Sequence, residues 1–207
     1  MDPFKYLLKL NPAKIKMGLQ RTHSLLKACG NPEKDLLSIQ VVGTNGKGST
    51  TAMVSNTYQY NGYKVGMFTS PHLSCLSERI RINGLAINRS TIQSFIDQYR
   101  KSIEMIDASF FEVMTVMAIW HFVKNRVDIA ILETGLGGRF DSVTAAKATC
   151  VLFTNVSLDH VEILGNSIQK IANEKIESIQ TSTKFICTSF KEDWFLKKIK
   201  KKKKNFT

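Results

Sequence analysis

The stretch "VVGTNGKGST", residues 41–50, joins the end of an apolar strand to a glycine-rich loop that contains a lysine. Gly43, Gly46 and Gly48 permit a tight backbone path whose amides can point at phosphate oxygens, and a following helix would add its positive N-terminus. Lys47 supplies a positive charge for the β- and γ-phosphates. A plain strand-to-helix turn is the alternative, but three glycines, a lysine and two hydroxyls favour a phosphate-binding loop.

This loop departs from the commonest pattern, which is glycine, four residues, Gly-Lys, and then serine or threonine. Gly48 follows Lys47 and has no side chain, so it cannot supply the hydroxyl that usually ligates Mg²⁺. Either Ser49 or Thr50 compensates, or the metal takes its ligands from elsewhere in the crevice.

Strand and helix patterns alternate on both sides of the loop, which predicts an α/β fold with a doubly wound, mostly parallel sheet. A small β-hairpin is predicted over 79–87, turning at Asn83-Gly84. The predicted strands are 37–43, 63–70, 127–133, 148–156 and 184–190. The predicted helices are 47–60, with Met53, Val54 and Tyr58 as its apolar set, 91–106, capped by Ser90, 111–125, and 167–180, with Ile168, Ile171, Ile176 and Ile179 buried.

Four predicted strands end in polar or glycine-rich segments, at Gly43, Ser70, Glu133 and Asn155. In such sheets ligands bind outside the carboxyl ends of the strands. We therefore expect these four ends to converge on one crevice.

The composition of the 207 residues, with 43% hydrophobic and 22% charged residues, is typical of a soluble globular protein. No apolar run is long enough for a membrane span, and no secretory signal is evident at the N-terminus. The four cysteines form no C-x-x-C pair, and Cys150 and Cys187 lie in apolar runs typical of buried free thiols. We expect a cytoplasmic protein that does not bind membranes.

The net charge of +12 is concentrated at one end of the chain. Between Lys191 and Lys204, eight lysines stand against Glu192 and Asp193, which leaves a local balance of +6. Such a run predicts a disordered, solvated tail over 191–207. Nonspecific nucleic-acid binding is the alternative, and no specific nucleic-acid site is expected.

A series of motifs resembles the N-terminal ATPase domain of the folylpolyglutamate synthase and dihydrofolate synthase family, which belongs to the Mur-ligase-like group of ATP-dependent amide ligases. The motifs run in the family's order as "GTNGKGST", "TSPHL", "ERIRING", "FFEVMT", "ILETGLGGRFD", "SLDH" and "IANEK". The resemblance implies a Mur-ligase-like ATP-binding domain over 1–190, with ATP and Mg²⁺ as cofactors.

The resemblance also implies roles for individual residues. Gly43 to Gly48, with Thr44, Asn45, Gly46 and Lys47, would contact the ATP phosphates, and Ser49 would continue the cradle. Ser70 would ligate one Mg²⁺, Glu112 both metals and His160 the second. Lys175 matches a lysine that is carbamylated in the family and helps to position a metal. Lys47, Glu112, His160 and Lys175 are thus the expected catalytic set.

Each of these residues also has a structural interpretation. Glu112 begins a predicted helix and could be a first-turn charge favoured by the helix dipole. A lone loop histidine such as His160 is usually structural, and Lys175 on a helix would ordinarily be a solvated charge. Carbamylation requires a neutral amine, and hence partial burial of Lys175.

The sequence departs from the family's pattern at two places. In the glycine-rich loop "ETGLGGRFDSVTA", Ser142-Val143-Thr144 replaces Ala-Thr-Asn, and after Lys175 the family's Ala-Gly-Ile is replaced by Ile-Glu-Ser. Asp141 is retained and is expected to organise the site. Trp120 falls where the family places part of its pterin pocket, although a tryptophan on an apolar helix face is usually a core residue.

The resemblance implies a ligase that phosphorylates a folate or dihydropteroate carboxylate and joins it to L-glutamate through an acyl phosphate. The family is about twice this length, so its C-terminal domain would be absent. A truncated product is expected, with a split-enzyme subunit or a cut chain as alternatives. We expect a monomer, inactive alone, that needs a separate C-terminal half if it is a subunit. A non-catalytic nucleotide-binding remnant is the other hypothesis.

Overall fold

The computed structural model describes residues 2–10 and 18–204 of the chain. Within these residues the strands form one seven-stranded sheet in the order β4-β3-β2-β5-β1-β6-β7. All neighbouring pairs are parallel except β2–β3 and β3–β4. The strands are β1 (Ser38–Val42), β2 (Val65–Phe68), β3 (Ile80–Ile82), β4 (Leu85–Ala86), β5 (Ile129–Glu133), β6 (Cys150–Phe153) and β7 (Phe185–Thr188).

Helices cover both faces of this sheet, which confirms the doubly wound α/β prediction. They are α1 (Pro3–Lys9), α2 (Gln20–Ala28), α3 (Lys47–Tyr60), α4 (Arg89–Ile106), α5 (Phe110–Lys124), α6 (Val161–Leu164), α7 (Ile168–Ile176) and α8 (Asp193–Lys204). The predicted hairpin is present as β3 and β4, and Asn83 and Gly84 at its turn both have positive φ. No helix in the described ranges has the length and apolarity needed to cross a bilayer.

The two central strands are buried on both faces, as expected of parallel strands between helical layers. On β5, Ile129 and Ile131 pack with α3 residues on one side of the sheet. Ala130 and Leu132 belong to the larger core on the other side, which also contains α4 and α5 residues. Because β2, β5, β1 and β6 are neighbours, their carboxyl ends meet at one edge, as the sequence predicts.

Some local predictions were wrong in detail. Asn88, rather than Ser90, caps α4, because the Asn88 side chain accepts the Thr91 N–H while Ser90 donates its hydroxyl to Asn88. Met53 on α3 is exposed, and the residues of this helix that are buried are Thr51 and Ser55.

The Lys-rich segment differs from the predicted disordered tail. Residues 193–204 form α8, and Phe195 and Ile199 belong to the same buried cluster as Phe153 and Ile176. Because Phe195 and Ile199 are four positions apart, they lie on one face of the helix, and this apolar face packs against the core. The average composition of the lysine run does not reveal this face. Residues 205–207 of the predicted tail lie outside the described residues.

Candidate functional site

The glycine-rich loop after β1 is fastened to the end of the neighbouring strand β6. The Thr44 N–H donates to the Asn155 carbonyl oxygen at 3.0 Å, and the Asn45 N–H donates to Asn155 Oδ1 at 2.9 Å. In return, Thr154 Oγ1 donates to the Asn45 carbonyl at 2.7 Å. The loop therefore has a fixed shape before any ligand binds.

Two of the loop glycines are required by this shape. A Cβ on Gly43 would fall well inside van der Waals contact with Thr154 Oγ1 and the following backbone. Gly46 has φ +75°, in the left-handed region that glycine adopts without a steric penalty. The geometry of this loop therefore explains why glycine occupies positions 43 and 46, which an ordinary strand-to-helix turn would not explain as fully.

The first turn of α3 provides positive charge at the loop. The helix begins at Lys47, and its N-cap residue, Gly46, makes no side-chain capping bond. The first amides of a helix have no intrahelical partners, so those of α3 can bind an anion. Lys47 Nζ folds back to donate to the Thr44 carbonyl at 3.0 Å, and Ser49 is exposed in the same turn.

Glu133 is a candidate site residue that the sequence motifs place only at the end of a strand. It is buried at the end of β5, where Oε2 accepts the Ser70 N–H at 3.0 Å. A Cβ on Gly48 would lie 3.5 Å from both carboxylate oxygens, so this carboxylate faces the start of α3. Burial raises the pKa of Glu133, while the Ser70 hydrogen bond and the charges of Lys47 and Arg79 act in the opposite direction. Its place, a charged residue ending a buried strand beside the phosphate loop, is the signal that could have identified it.

Lys175 lies beneath the phosphate loop rather than in solvent. Its side chain on α7 is buried, and Nζ donates to the Gly43 carbonyl at 2.8 Å. Burial lowers the pKa of Lys175 to about 8, and the charge of Lys47 adds to the effect, while Asp159 and Asp141 oppose it. About a tenth of the amine is therefore neutral at pH 7.

Asp141 organises the second glycine-rich loop. Its Oδ2 accepts the Leu136 N–H at 2.8 Å, and its Oδ1 accepts the Val143 N–H at 2.9 Å. Burial raises the pKa of this carboxyl to about 6 despite these bonds. Gly138 in the same loop packs so closely on the α7 backbone that a Cβ would fall 2.9 Å from the Lys175 carbonyl oxygen. The loop is thereby held against the helix that carries Lys175.

Thr144 stands where the family has asparagine, and it is bonded on both sides. Its hydroxyl donates to the Gly138 carbonyl at 2.7 Å and accepts from Gln40 Nε2 at 2.9 Å. Gln40 Nε2 also donates to Thr134 Oγ1 at 3.0 Å. The departure therefore leaves the glycine-rich loop connected to the central strand.

Glu112 has partners that fit its structural interpretation. It is buried at the third position of α5 and forms a capping box with Ser109, whose N–H it accepts at 2.7 Å. Both of its carboxylate oxygens lie within 3.2 Å of Arg21 Nε. A metal ion would have to displace Arg21 from this carboxylate.

His160 and Trp120 differ sharply in their surroundings. His160 is exposed at the start of α6, with Nε2 3.7 Å from Asp159 Oδ1. It follows Ser157, whose backbone N–H donates to Thr44 Oγ1 at 3.1 Å, so its segment lies beside the phosphate loop. Trp120 is buried in the core, edge-on to Phe95 and Tyr99, which supports its interpretation as a core residue.

The donors at the carboxyl edge suit Mg²⁺ better than a transition metal. In the described ranges, no group of three or more histidine, cysteine, aspartate or glutamate side chains could hold a metal. Glu133 and the Ser70 hydroxyl would provide hard oxygen donors, and Mg²⁺ ordinarily uses one or two carboxylates together with phosphate oxygens and water. The residues present therefore fit a magnesium ion that arrives with a polyphosphate.

Curated relatives of this chain are folate-pathway ligases. A dihydrofolate synthase/folylpolyglutamate synthase from Bacillus subtilis is 40% identical over 168 residues, which is 78% of this chain and 39% of the relative. The folylpolyglutamate synthase of Lacticaseibacillus casei is 34% identical over 75% of this chain and 38% of the relative. The chain thus spans about two fifths of the length of these relatives.

Solved structures of the same enzymes share the fold. The structure of E. coli FolC in complex with DHPP and ADP aligns with a TM-score of 0.87 and 30% identity, covering 98% of this chain and 48% of that one. An FPGS–AMPPCP complex aligns with a TM-score of 0.88 and 27% identity, covering 100% and 52%. The model of the Mur ligase middle domain matches residues 41–207, and the chain belongs to the Mur ligase family.

Proposed function

We propose that this chain is the nucleotide-binding part of an ATP-dependent ligase that adds L-glutamate to folate or dihydropteroate through an acyl phosphate. The observation that carries the proposal is the juxtaposition of Glu133 with the Ser70 backbone and Gly48, directly beside Lys47 and the phosphate loop. Burial makes the charge of this carboxylate costly, and Lys47 and Arg79 offset that cost only in part, so a divalent cation beside it would stabilise its ionised form.

In this proposal the loop Gly43–Ser49 binds the ATP phosphates. The amides at the start of α3 hydrogen-bond the β- and γ-phosphate oxygens, and Lys47 exchanges its bond to the Thr44 carbonyl for a phosphate oxygen. Because the loop is fastened to β6 in advance, little ordering is needed when the nucleotide binds.

Glu133 and the Ser70 hydroxyl would hold Mg²⁺, with His160 close enough in sequence to the loop-bound Ser157 to join them. Glu112 remains a candidate ligand, but we assign the carboxylate role to Glu133 because Arg21 already occupies Glu112. The ion supplies charge neutralisation for the transferring phosphoryl group.

Lys175 is suited to carbamylation, since its amine is buried and has a lowered pKa. In that step the amine nitrogen bonds to CO₂ and loses one proton, which yields an anionic carbamate. The new charge would lie under the phosphate loop, where Lys47 and a divalent ion could balance it. Asp141 would keep the neighbouring loop in place.

The acceptor and the amino acid are assigned from the relatives. Their names specify dihydrofolate and folylpolyglutamate synthesis, and their chains are more than twice as long as the matched segment. Catalysis of phosphoryl transfer onto a carboxylate comes mostly from positioning the reactants and from stabilising their negative charge with cations. The residues on this chain serve that half-reaction, and a second half would be needed to complete the glutamate site.

Isothermal titration of the chain with Mg·ATP tests the proposal. We expect saturable binding that requires Mg²⁺ and is lost in Lys47→Ala. Lys101→Ala, which removes an exposed lysine on α4, is the matched control and should bind normally. Binding that is indifferent to Lys47 would contradict the phosphate-loop assignment.

A turnover assay separates an enzyme from a nucleotide-binding remnant. ATP-dependent transfer of labelled glutamate to dihydropteroate or tetrahydrofolate would be measured with the chain alone and with a separately expressed C-terminal half of a relative. Transfer in the second mixture supports a ligase. Intact Mg·ATP binding without transfer in either mixture would refute the ligase and leave a binding module.

A further inference from the structure

Two cysteines that are 37 positions apart in sequence lie side by side on the sheet. Strands β6 and β7 are parallel neighbours in which Cys150 is opposite Phe185 and Leu152 is opposite Cys187. Side chains two residues apart on a strand project from the same face. The thiols of Cys150 and Cys187 therefore project from one face of adjacent strands, offset by two residues along the strand direction.

The two thiols are close enough to interact directly. Cys150 and Cys187 are both unoxidised, and they project from the same face of paired strands. Burial and the neighbouring Cys187 raise the pKa of Cys150 to about 11, so this residue is a protonated thiol at neutral pH. A cation that bound here would have to displace that proton.

This part of the sheet is only partly covered in the described residues, since Cys150 packs at the edge of the cluster that contains α3 residues while Phe185 on the same face is 64% exposed. Helix α3 packs over β1, β2 and β5 on the same side. On the opposite face, Val151, Phe153 and Ile186 pack in the core with α7 and α8. Cys187 is exposed and Cys150 is half-buried, so the prediction of two buried thiols was wrong and a small ion in solution can approach both side chains.

The number of ligands limits which ion could bind. A structural zinc site takes four protein ligands, and the described residues contain no cluster of three histidine, cysteine or acidic side chains. Thiolates favour soft cations, of which copper(I) is the ion that two thiolates can fully satisfy. Oxygen-seeking ions such as Mg²⁺ would not compete at this site.

We propose that Cys150 and Cys187 form a two-thiolate binding site for a soft d¹⁰ cation, copper(I) in particular, on the open face of β6 and β7. On binding, two S–H bonds break, two Cu–S bonds form, and two protons leave to solvent, with no change in oxidation state. The site is separate from the carboxyl edge of the sheet, and the inference does not depend on the proposed ligase function.

Anaerobic titration of the reduced chain with copper(I), in competition with the chromogenic chelator bicinchoninate, tests the site. We expect one copper(I) per chain, bound at least about 100-fold more weakly in Cys150→Ser and in Cys187→Ser, because a single thiolate remains. Cys75→Ser, which removes an exposed cysteine whose sulfur lies 3.2 Å from Ser77 Oγ, and Cys29→Ser should bind copper(I) as the unmodified chain does.

Two outcomes would overturn the inference. Affinity unchanged in both serine variants would place the ion elsewhere, and one copper per two chains would indicate bridging between molecules. Circular dichroism of each variant verifies folding, and X-ray absorption of the copper-loaded chain should show two sulfur ligands. Mg·ATP binding is measured in parallel and should be the same with and without copper.

Discussion

Two buried carboxylates lie near the carboxyl edge of the sheet, and their partners differ. Glu112, in the first turn of α5, caps the helix through Ser109 and pairs with Arg21. Glu133, at the end of β5, accepts one backbone N–H from Ser70 and faces Gly48 across a short gap. One carboxylate is neutralised by the fold, whereas the other is directed at the phosphate loop.

The comparison shows how a structural charge differs from a functional one when both are buried. The chain compensates Glu112 internally through Arg21 and Ser109, so removing the carboxylate breaks contacts within the fold. Burial raises the pKa of Glu133, which means that the folded protein alone does not fully stabilise its ionised form. Substituting each by glutamine should therefore affect different properties.

Glu112→Gln should produce the largest change in stability. The substitution leaves Arg21 facing a neutral amide and weakens the capping box, for a loss of about 3 kcal/mol in the free energy of unfolding. Urea denaturation followed by circular dichroism measures this change. Mg·ATP affinity of the folded variant should be retained, and its loss without a loss of stability would make Glu112 a metal ligand after all.

Glu133→Gln should show the opposite pattern. We expect Mg·ATP affinity to fall by about 100-fold, because the amide removes the charge that faces the cation. The Mg²⁺ dependence of nucleotide binding, measured by titration with and without EDTA, is the readout. Normal Mg²⁺-dependent binding would show that the ion is held elsewhere.

The same variant should also change the pH dependence of stability. The folded-state pKa of Glu133 is raised, so its contribution is full at low pH and is lost as pH rises through that value. Glu133→Gln should lack this loss and be at least as stable as the parent near neutral pH. A destabilised variant would indicate that Glu133 is stabilised as strongly by Lys47 and Arg79 as Glu112 is by Arg21.

Much of this arrangement could be predicted from the sequence. Apolar runs and glycine loops identified β1, β2, β5 and β6 and their shared edge, because parallel strands between helices produce that pattern. The ion pair of Glu112 with Arg21 could not be predicted, since Arg21 lies 91 residues earlier in the chain. The role of Glu133 depends on which strands are neighbours, and the packing of α8 depends on two apolar residues among many lysines.

A smaller effect is expected at Lys175, another buried titratable group at this edge. Only the neutral amine reacts with CO₂, and the pKa of Lys175 is lowered to about 8. The reactive fraction should therefore fall about tenfold for each pH unit below that value. ¹³C NMR of the chain in ¹³C-bicarbonate should show a carbamate signal with this profile.

Lys175→Met should remove that carbamate signal. Lys101→Met, at an exposed position, should leave it in place. A signal that survives in Lys175→Met would assign the carbamate to another amine. A signal from Lys175 that changes little between pH 6 and about 8 would contradict the effect of burial on this amine.

The smallest effect on stability is expected for Gly48→Ala, which adds one methyl group between α3 and Glu133. A Cβ here makes ordinary van der Waals contact with both carboxylate oxygens at 3.5 Å, and alanine suits a helix better than glycine. We therefore expect the free energy of unfolding to rise by about 0.5 kcal/mol. Urea denaturation can measure this gain.

Nucleotide binding by Gly48→Ala should nevertheless weaken, because the methyl group fills the space through which Glu133 faces the phosphates. A more stable chain with weaker Mg·ATP binding would show that the gap at Gly48 is kept for the ligand at a cost to the fold. Unchanged binding would mean that the ion approaches Glu133 from the Ser70 side. In that case the absence of a hydroxyl after Lys47 would reflect only the path of the loop, and the metal site would be built around β2.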